Sequence, residues 1–202
     1  MSHDHEHQEF EQKWWGDCLN TAGEEAKQLS YASRMRLEFA PYLDKCWSID
    51  LQHKSVVDIG GGPVSLLLKT HNRGPLCMVI DPCEYPDWVI ERYREGGIAQ
   101  YLRRGEDLDQ ISYGEKHDEA WIYNCLQHTE NPQKIIENAR KRAKVLRIFE
   151  WVNTGTSLGH PHDLKPELLN EWIGGYGTTE FINETNNGRD FAVGQCYYGV
   201  FG

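Results

Sequence analysis

From Ser55 onward, short apolar runs alternate with amphipathic stretches. A short run that is apolar throughout is typical of a strand buried on both faces, and apolar residues three and four positions apart indicate a helix. Strands that alternate with helices predict a parallel sheet. The predicted strands cover residues 55–59, 76–81, 98–103, 119–124 and 144–152.

Helix signals fill the intervals between these strands. Asn131 offers a side-chain cap and Pro132 suits the first helical position, so a helix is expected to begin there. Gly96 and Gly97 end another amphipathic stretch. The predicted helices run from the glycines after the first strand to Leu68, and over 85–97, 131–143 and 165–175.

The two ends of the chain depart from this alternation. Apolar residues at helical spacing predict two or three helices over 9–39. Near the other end, Asn187-Gly188 separates two strand-like runs, 180–184 and 191–201, which predicts an antiparallel hairpin.

Together these signals predict one architecture. The expected fold is α/β: a Rossmann-like, seven-stranded, mostly parallel sheet with helices on both faces, an antiparallel C-terminal hairpin and an N-terminal helical cap. We treat residues 1–50 as the cap or lid, and residues 51–202 as the main domain.

Charge and cysteine content narrow the class of protein. With 31 acidic and 21 basic side chains in 202 residues, the formal net charge is −10, which does not favour binding to nucleic acid. No apolar run approaches the roughly 20 residues of a membrane span, and the polar N-terminus does not resemble a secretory signal.

The six cysteines form no C-x-x-C pair, so we expect reduced thiols and a cytoplasmic protein. The oligomeric state is left open.

The turn after the first strand reads Asp58-Ile-Gly-Gly-Gly-Pro63, which brings backbone close to a ligand. A phosphate-binding loop requires G-x-x-x-x-G-K-[ST], but Pro63 and Leu68 occupy its glycine positions. A dinucleotide fingerprint is a poor match, because Ser65 stands where its third small residue belongs.

Acidic residues end the first two strands, at Asp58 and Asp81. Asp58 would repel a pyrophosphate but suits a ligand that carries an amino group and a sulfonium. Asp81 stands where a carboxylate accepts the hydroxyls of a ribose. A cation at the first strand and a ribose at the second describe S-adenosylmethionine.

Four motifs resemble the class I S-adenosylmethionine-dependent methyltransferases of the small-molecule type. They are VVDIGGGPVSLL, VIDP, RGEDLDQI and DEAWIYNCLQHTENP, and the resemblance covers residues 54–202. It implies cofactor contacts for Asp58, Gly60, Gly61, Gly62, Asp81, Pro82, Glu106, Asp107, Leu108, Asn124, Cys125 and Leu126. Glu106 or Asp107 would receive the adenine amino group.

His128 follows the fourth predicted strand and is the candidate general base for an acceptor that must lose a proton. It could equally hydrogen-bond a loop or cap the following helix. His160 and His162 follow the fifth strand, whose end carries Glu150; we expect these three residues to contact the substrate rather than a metal.

Trp14, Trp15 and Tyr31 recur on one helical face of the N-terminal segment, where they either pack in the core or close over the substrate. The first hypothesis is therefore methyl transfer to an O or N atom of a small polar metabolite, such as a sugar. The alternatives are a methyltransferase that acts on tRNA or protein, a non-catalytic cofactor-binding module and, more distantly, a nicotinamide-dependent oxidoreductase.

Overall fold

The computed structural model describes residues 3–43, 46–111, 114, 116–186 and 189–202. The predicted Asn187-Gly188 turn lies outside these residues. The helices are α1 (His3–Trp15), α2 (Ala22–Arg34), α3 (Asp87–Glu95), α4 (Pro132–Arg142) and α5 (Pro166–Ile173). The strands are β1 (Phe39–Pro41), β2 (Trp47–Asp50), β3 (Val56–Ile59), β4 (Thr70–His71), β5 (Met78–Asp81), β6 (Ala99–Leu102), β7 (His117–Tyr123), β8 (Ala143–Trp151), β9 (Thr178–Asn186) and β10 (Arg189–Phe201).

The main sheet has seven strands in the order β6-β5-β3-β7-β8-β10-β9. The first five are parallel, and β10 runs antiparallel to both β8 and β9. The predicted architecture is confirmed, including the reversed strand at one side. The chain order places β3 next to both β5 and β7, so the sheet changes its winding direction there, which is where such sheets bind ligands.

Alternate residues of the central strands enter two separate apolar layers. In β7, Trp121 and Tyr123 pack with residues of α2 and α3, whereas Ile122 packs with residues of α4 and α5. This alternation follows from the two-residue period of a strand. Both faces of the sheet are thus covered by helices, as expected for a parallel sheet.

The stretch after β3 differs from the sequence prediction. A helix through Leu68 was expected, but Gly62–Val64 and Leu66–Lys69 form two short 3₁₀ turns that lead into β4. Ser65 explains part of this, because its hydroxyl turns inward to donate to Asp58 and accepts the Leu67 amide at 3.0 Å. The Arg73 guanidinium donates to the carbonyl oxygen of Leu67 at 2.9 Å, so groups outside the segment satisfy its backbone.

The N-terminal segment contains two helices, as predicted, but the residues after α2 are not helical. Residues 39–41 and 47–50 form β1 and β2, which join β4 in a separate three-stranded sheet. Helix α2 lies against the C-terminal hairpin, where Arg34 forms ion pairs with Glu180 and Glu184 at 3.0 Å each. None of the helices in the described ranges is long and apolar enough to cross a bilayer.

Candidate functional site

A cavity of about 590 Å³ opens at the carboxyl ends of β3, β5, β7 and β8. Its volume lies within the range of about 300–1,000 Å³ that is typical of small-molecule sites. Helix α1 contributes one wall of it. The residues predicted from sequence that line it are Trp14, Trp15, Gly60, Gly61, Gly62, Asp81, Pro82, Glu106, Asn124, Cys125, His128 and His160.

The glycine turn forms the floor of the cavity, and two of its residues require glycine. Gly60 has a φ of +73°, and a Cβ there would lie 2.6 Å from Cys125 Cβ. Gly62 has a φ of +61° and donates its amide to Asp81 Oδ2 at 3.0 Å. A side chain at Gly60 would therefore both strain the backbone and collide with the neighbouring strand end.

Asp58 lies beneath this turn and does not line the cavity. Its Oδ2 accepts from Ser65 and, at 2.6 Å, from the Tyr123 hydroxyl, while Oδ1 is buried without a partner among the described residues. Burial raises the pKa of Asp58 to about 7, against the hydrogen bonds from Ser65 and Tyr123 that lower it. Gly61, which lines the cavity, packs directly on the carboxylate, because a Cβ on Gly61 would meet Asp58 Oδ2 at 2.8 Å.

Asp81 reaches the cavity with a carboxylate that the protein already orients. Oδ1 accepts the Cys83 amide and the Tyr85 hydroxyl, each at 2.9 Å. Burial raises the pKa of Asp81, while these hydrogen bonds and the one from the Gly62 amide lower it. Tyr85 was not among the predicted site residues, since nothing in the local pattern distinguishes it from a core tyrosine.

The segment after β6 meets the prediction in part. Glu106 lines the cavity, and its Oε1 accepts the amides of Glu130 and Asn131 at 3.1 and 2.9 Å. Asp107 is half-buried outside the cavity, where it accepts from Gln110, and the side chain of Leu108 lies in the core. Glu106 is thus the better placed of the two predicted acids.

Glu150 anchors the turn that follows β7. It is fully buried and its Oε1 accepts the amides of Cys125 and Leu126, both at 3.1 Å. It does not line the cavity, which differs from the predicted substrate contact. Burial raises the pKa of Glu150 to about 7, and the two amides only partly offset this. Its role here is to fix the backbone of Asn124, Cys125 and Leu126.

The raised pKa of Glu150 predicts a pH-dependent stability. A carboxyl with a higher pKa in the folded state stabilises the fold at acidic pH and loses that contribution as the pH rises from about 4 to about 7. Glu150→Gln removes this titration yet keeps an oxygen for the two amides. We expect its free energy of unfolding, relative to that of the natural protein, to rise by on the order of 2–3 kcal/mol between pH 4 and 8.

Urea unfolding at pH 4, 6 and 8 measures this difference. Glu95→Gln, at an exposed glutamate that ends α3, is the matched control and should show no such trend. A Glu150→Gln profile parallel to that of the natural protein would contradict the assignment.

His128 lines the cavity at the turn that follows β7. Its Nδ1 lies 2.7 Å from the carbonyl oxygen of Gly159 and 2.9 Å from Glu11 Oε1. Burial lowers the pKa of His128, but the hydrogen bond and the charge of Glu11 outweigh it, so the pKa is raised. Its ring also contacts His160 edge to face, with ring centroids 4.6 Å apart.

Helix α1 reaches across the cavity through side chains that sequence analysis did not single out. Gln8 donates to the carbonyl oxygen of Pro82 at 2.8 Å, and Gln12 accepts the Glu84 amide at 2.8 Å. Glu11, on the same helix, contacts His128 after β7. Their spacing of three and four residues was a usable signal, because it places them on one helical face.

The remaining predicted residues separate into two groups. Trp15 lies over Gly62, with its ring 3.5 Å from where a Cβ would stand, and Trp14 lines the cavity but is 73% exposed. Tyr31 does not reach the cavity, because it is fully buried and its ring stacks on Phe149 at 4.3 Å. His162 also lies outside the lining, where its Nε2 is 3.2 Å from the carbonyl oxygen of Glu130.

No cluster of three or more histidine, cysteine, aspartate or glutamate side chains with metal-binding geometry occurs in the described part of the chain. The side chains of His160 and His162 have different partners: His160 contacts the ring of His128, and His162 contacts the carbonyl oxygen of Glu130.

Neither a protein-family model nor a curated protein matches the chain. Among solved structures, it is similar to the N-methyltransferase NodS from Bradyrhizobium japonicum in complex with S-adenosyl-l-homocysteine, with a TM-score of 0.56, 15% identity and coverage of 92% of this chain and 91% of that one. A second is 1,6-didemethyltoxoflavin-N1-methyltransferase from Burkholderia thailandensis with its acceptor and S-adenosylhomocysteine, with a TM-score of 0.57, 10% identity and coverage of 90% and 78%.

A third similar structure is an O-methyltransferase family protein from Burkholderia thailandensis, with a TM-score of 0.56, 16% identity and coverage of 91% of this chain and 58% of that one. At these identities the likeness shows the fold. It confirms the architecture predicted from the sequence, from the first strand to the reversed hairpin.

Proposed function

Because this chain has the fold of the class I S-adenosylmethionine-dependent methyltransferases, we propose that it transfers a methyl group from S-adenosylmethionine to an O or N atom of a small polar metabolite, such as a sugar. Bound S-adenosylmethionine supplies an activated methyl group on a sulfonium. In the overall reaction the acceptor gains that methyl group and loses one proton, and S-adenosylhomocysteine leaves.

The observation that carries the proposal is the placing of Asp81 beside the glycine turn, at the edge of the cavity. Its carboxylate is oriented by the Gly62 and Cys83 amides and by Tyr85, so it is ready to accept ribose hydroxyls. Asp58, one layer below Gly61, adds a second buried acid. A nearby cation favours the ionised form of both acids, whereas a pyrophosphate opposes it, so the pair suits a cationic nucleoside better than a pyrophosphate.

The turn after β3 supports the same ligand. A dinucleotide or phosphate site places an anion at the N-terminus of an α-helix, where the helix dipole is positive. The stretch from Gly62 to Lys69 forms only short 3₁₀ turns, which supply no comparable dipole. A ligand without phosphate therefore suits this turn better.

The other cavity residues divide the proposed roles. All of these residues line the cavity. Gly60, Gly61 and Gly62 would hold the cofactor from below, Pro82 and Glu106 would bind its adenine, and Asn124 and Cys125 would border it from the end of β7. His128 is the proposed base, and His160, Trp14 and Trp15 form the acceptor end.

The acceptor is proposed to be small because α1 crosses the cavity and confines it. A protein with a net charge of −10 also lacks the excess of basic side chains that a nucleic-acid substrate would require. The similar toxoflavin enzyme holds a small acceptor, 1,6-didemethyltoxoflavin. All six cysteines are free thiols, which supports a reducing, cytoplasmic location.

Thermal unfolding with S-adenosylhomocysteine or NAD tests the cofactor. We expect S-adenosylhomocysteine to stabilise the fold by about 2.7 kcal/mol at a hundred times its Kd, and NAD to have no effect at the same concentration. The two ligands share an adenosine moiety, so NAD is the matched control. Stabilisation by NAD alone would contradict the proposal.

A further inference from the structure

The contacts of His128 assign a distinct role to each ring nitrogen. Both neighbours of Nδ1, the Gly159 carbonyl and the Glu11 carboxylate, accept hydrogen bonds, so Nδ1 carries the proton. Nε2 lies 3.3 Å from Gln127 Nε2, which is a donor. In the neutral ring Nε2 is therefore the basic nitrogen.

Glu11 is distant from its partner His128 in the sequence and lies on a different secondary-structure element. It lies on α1, whereas His128 follows β7, and both side chains are 19% exposed. A partly buried ion pair of this kind is screened less than one on the surface. A carboxylate that shares the Nδ1 proton favours the imidazolium over the neutral ring, so it stabilises the state that exists after Nε2 has taken up a proton.

We propose that Glu11 is the positioning residue of the base: it orients His128 through Nδ1 and stabilises the imidazolium that forms when Nε2 takes the acceptor's proton. This inference rests on the proposed function. As the acceptor's O–H or N–H bond breaks, its electrons stay with the atom that gains the methyl group, and the proton moves to Nε2. Gly159 holds the same Nδ1 but contributes no negative charge.

The helix that carries Glu11 links the base to the closure of the cavity. Gln8 and Gln12 on the same helix contact the backbone of Pro82 and Glu84 beside β5, whereas His128 follows β7. When α1 is docked at Pro82 and Glu84, Glu11 is held against His128. The base is therefore complete only when the helix closes over the bound molecules.

Among the residues that the structure describes, the ionisable groups facing His128 are Glu11, Glu150 and His160. Glu11 on α1 and Glu150 on β8 raise its pKa, whereas its neighbour His160, in the loop after β8, repels a second positive charge. Glu150 is fully buried beneath the turn, and the Glu11→Gln substitution does not remove it. Of the two acids, Glu11 is the one that a substitution in α1 can remove.

Glu11→Gln tests the proposal, because the amide keeps the shape of Glu11 and removes its charge. The first readout is ¹⁵N NMR titration of His128 in the protein without ligands. We expect the pKa of His128 to fall in Glu11→Gln, to recover in part in Glu11→Asp, and to stay unchanged in Glu9→Gln, an exposed position on the same helix.

The second readout is the pH profile of turnover. In Glu11→Gln we expect kcat to fall by about 10- to 100-fold at its plateau, with the rise of the profile moved to lower pH and an unchanged KM for S-adenosylmethionine. An unchanged pKa of His128, or a loss of Tm with no shift of the profile, would overturn the proposal. If S-adenosylhomocysteine fails to bind the natural protein, the proposed function fails, and the NMR result still decides the Glu11–His128 contact.

Discussion

His128→Ala is expected to lower turnover by about 10²- to 10⁴-fold while S-adenosylhomocysteine binding is kept. The ring contacts Gly159, Glu11 and His160, whereas Asp81 is held by Gly62, Cys83 and Tyr85, so removal of the ring leaves the glycine turn and the Asp81 carboxylate in place. The loss should appear in kcat, measured with saturating S-adenosylmethionine once an acceptor is identified. The thermal shift with S-adenosylhomocysteine reports binding independently.

His53→Ala is the matched control for this substitution. His53 is exposed just before β3, at the end of that strand opposite the cavity, and its loss should change neither kcat nor binding. Unchanged turnover in His128→Ala would remove His128 from the reaction and would leave its contacts with Gly159 and Glu11 as purely structural.

Gly60→Ala is expected to lower the free energy of unfolding by about 4 kcal/mol or more and to abolish S-adenosylhomocysteine binding. The positive φ of Gly60 costs an alanine about 1–2 kcal/mol. The collision with Cys125, whose Cβ and Sγ would lie 2.6 and 2.8 Å away, adds the rest, because the strand end cannot move without disturbing the cavity floor.

Gly97→Ala separates these two causes. Gly97 has a φ of +67°, close to that of Gly60, but nothing lies within 4 Å of its Cβ position. We expect it to cost only about 1–2 kcal/mol and to leave binding unchanged. Urea unfolding and thermal shift measure both variants, and equal losses in the two would show that close packing at Gly60 contributes little.

The strands and the glycine turn were predictable because their signals are local. The apolar run that forms β3 ends in Asp58 and the glycines, and the next strand ends in Asp81, so chain order alone placed both acids at one edge of the sheet. The helix after β3 was predicted wrongly because its conformation depends on residues outside the segment. Arg73 donates to the carbonyl oxygen of Leu67, and Asp58 accepts the hydroxyl of Ser65.

Side-chain roles were harder to predict than positions. Glu150 and Tyr31 occupy plausible places for substrate contacts, but tertiary packing buries both completely. The spacing of Gln8, Glu11 and Gln12 marks one face of α1, but the partner of Glu11 lies more than a hundred residues away along the chain, and no sequence pattern identifies that partner. Local periodicity gives the face of a helix, whereas the partner of that face depends on the folded whole.

Helix α1 has a consequence for the timing of each catalytic cycle. The contacts of Gln8, Glu11 and Gln12 hold it across the cavity, and each hydrogen bond contributes only about 0.5–1.5 kcal/mol, or up to about 3 kcal/mol where a charge takes part. We expect a helix held by so few polar contacts to undock on the microsecond-to-millisecond scale of loop and lid motion. In the proposed reaction the departing product waits for that event, so the rate of helix undocking sets an upper limit on the number of turnovers per second.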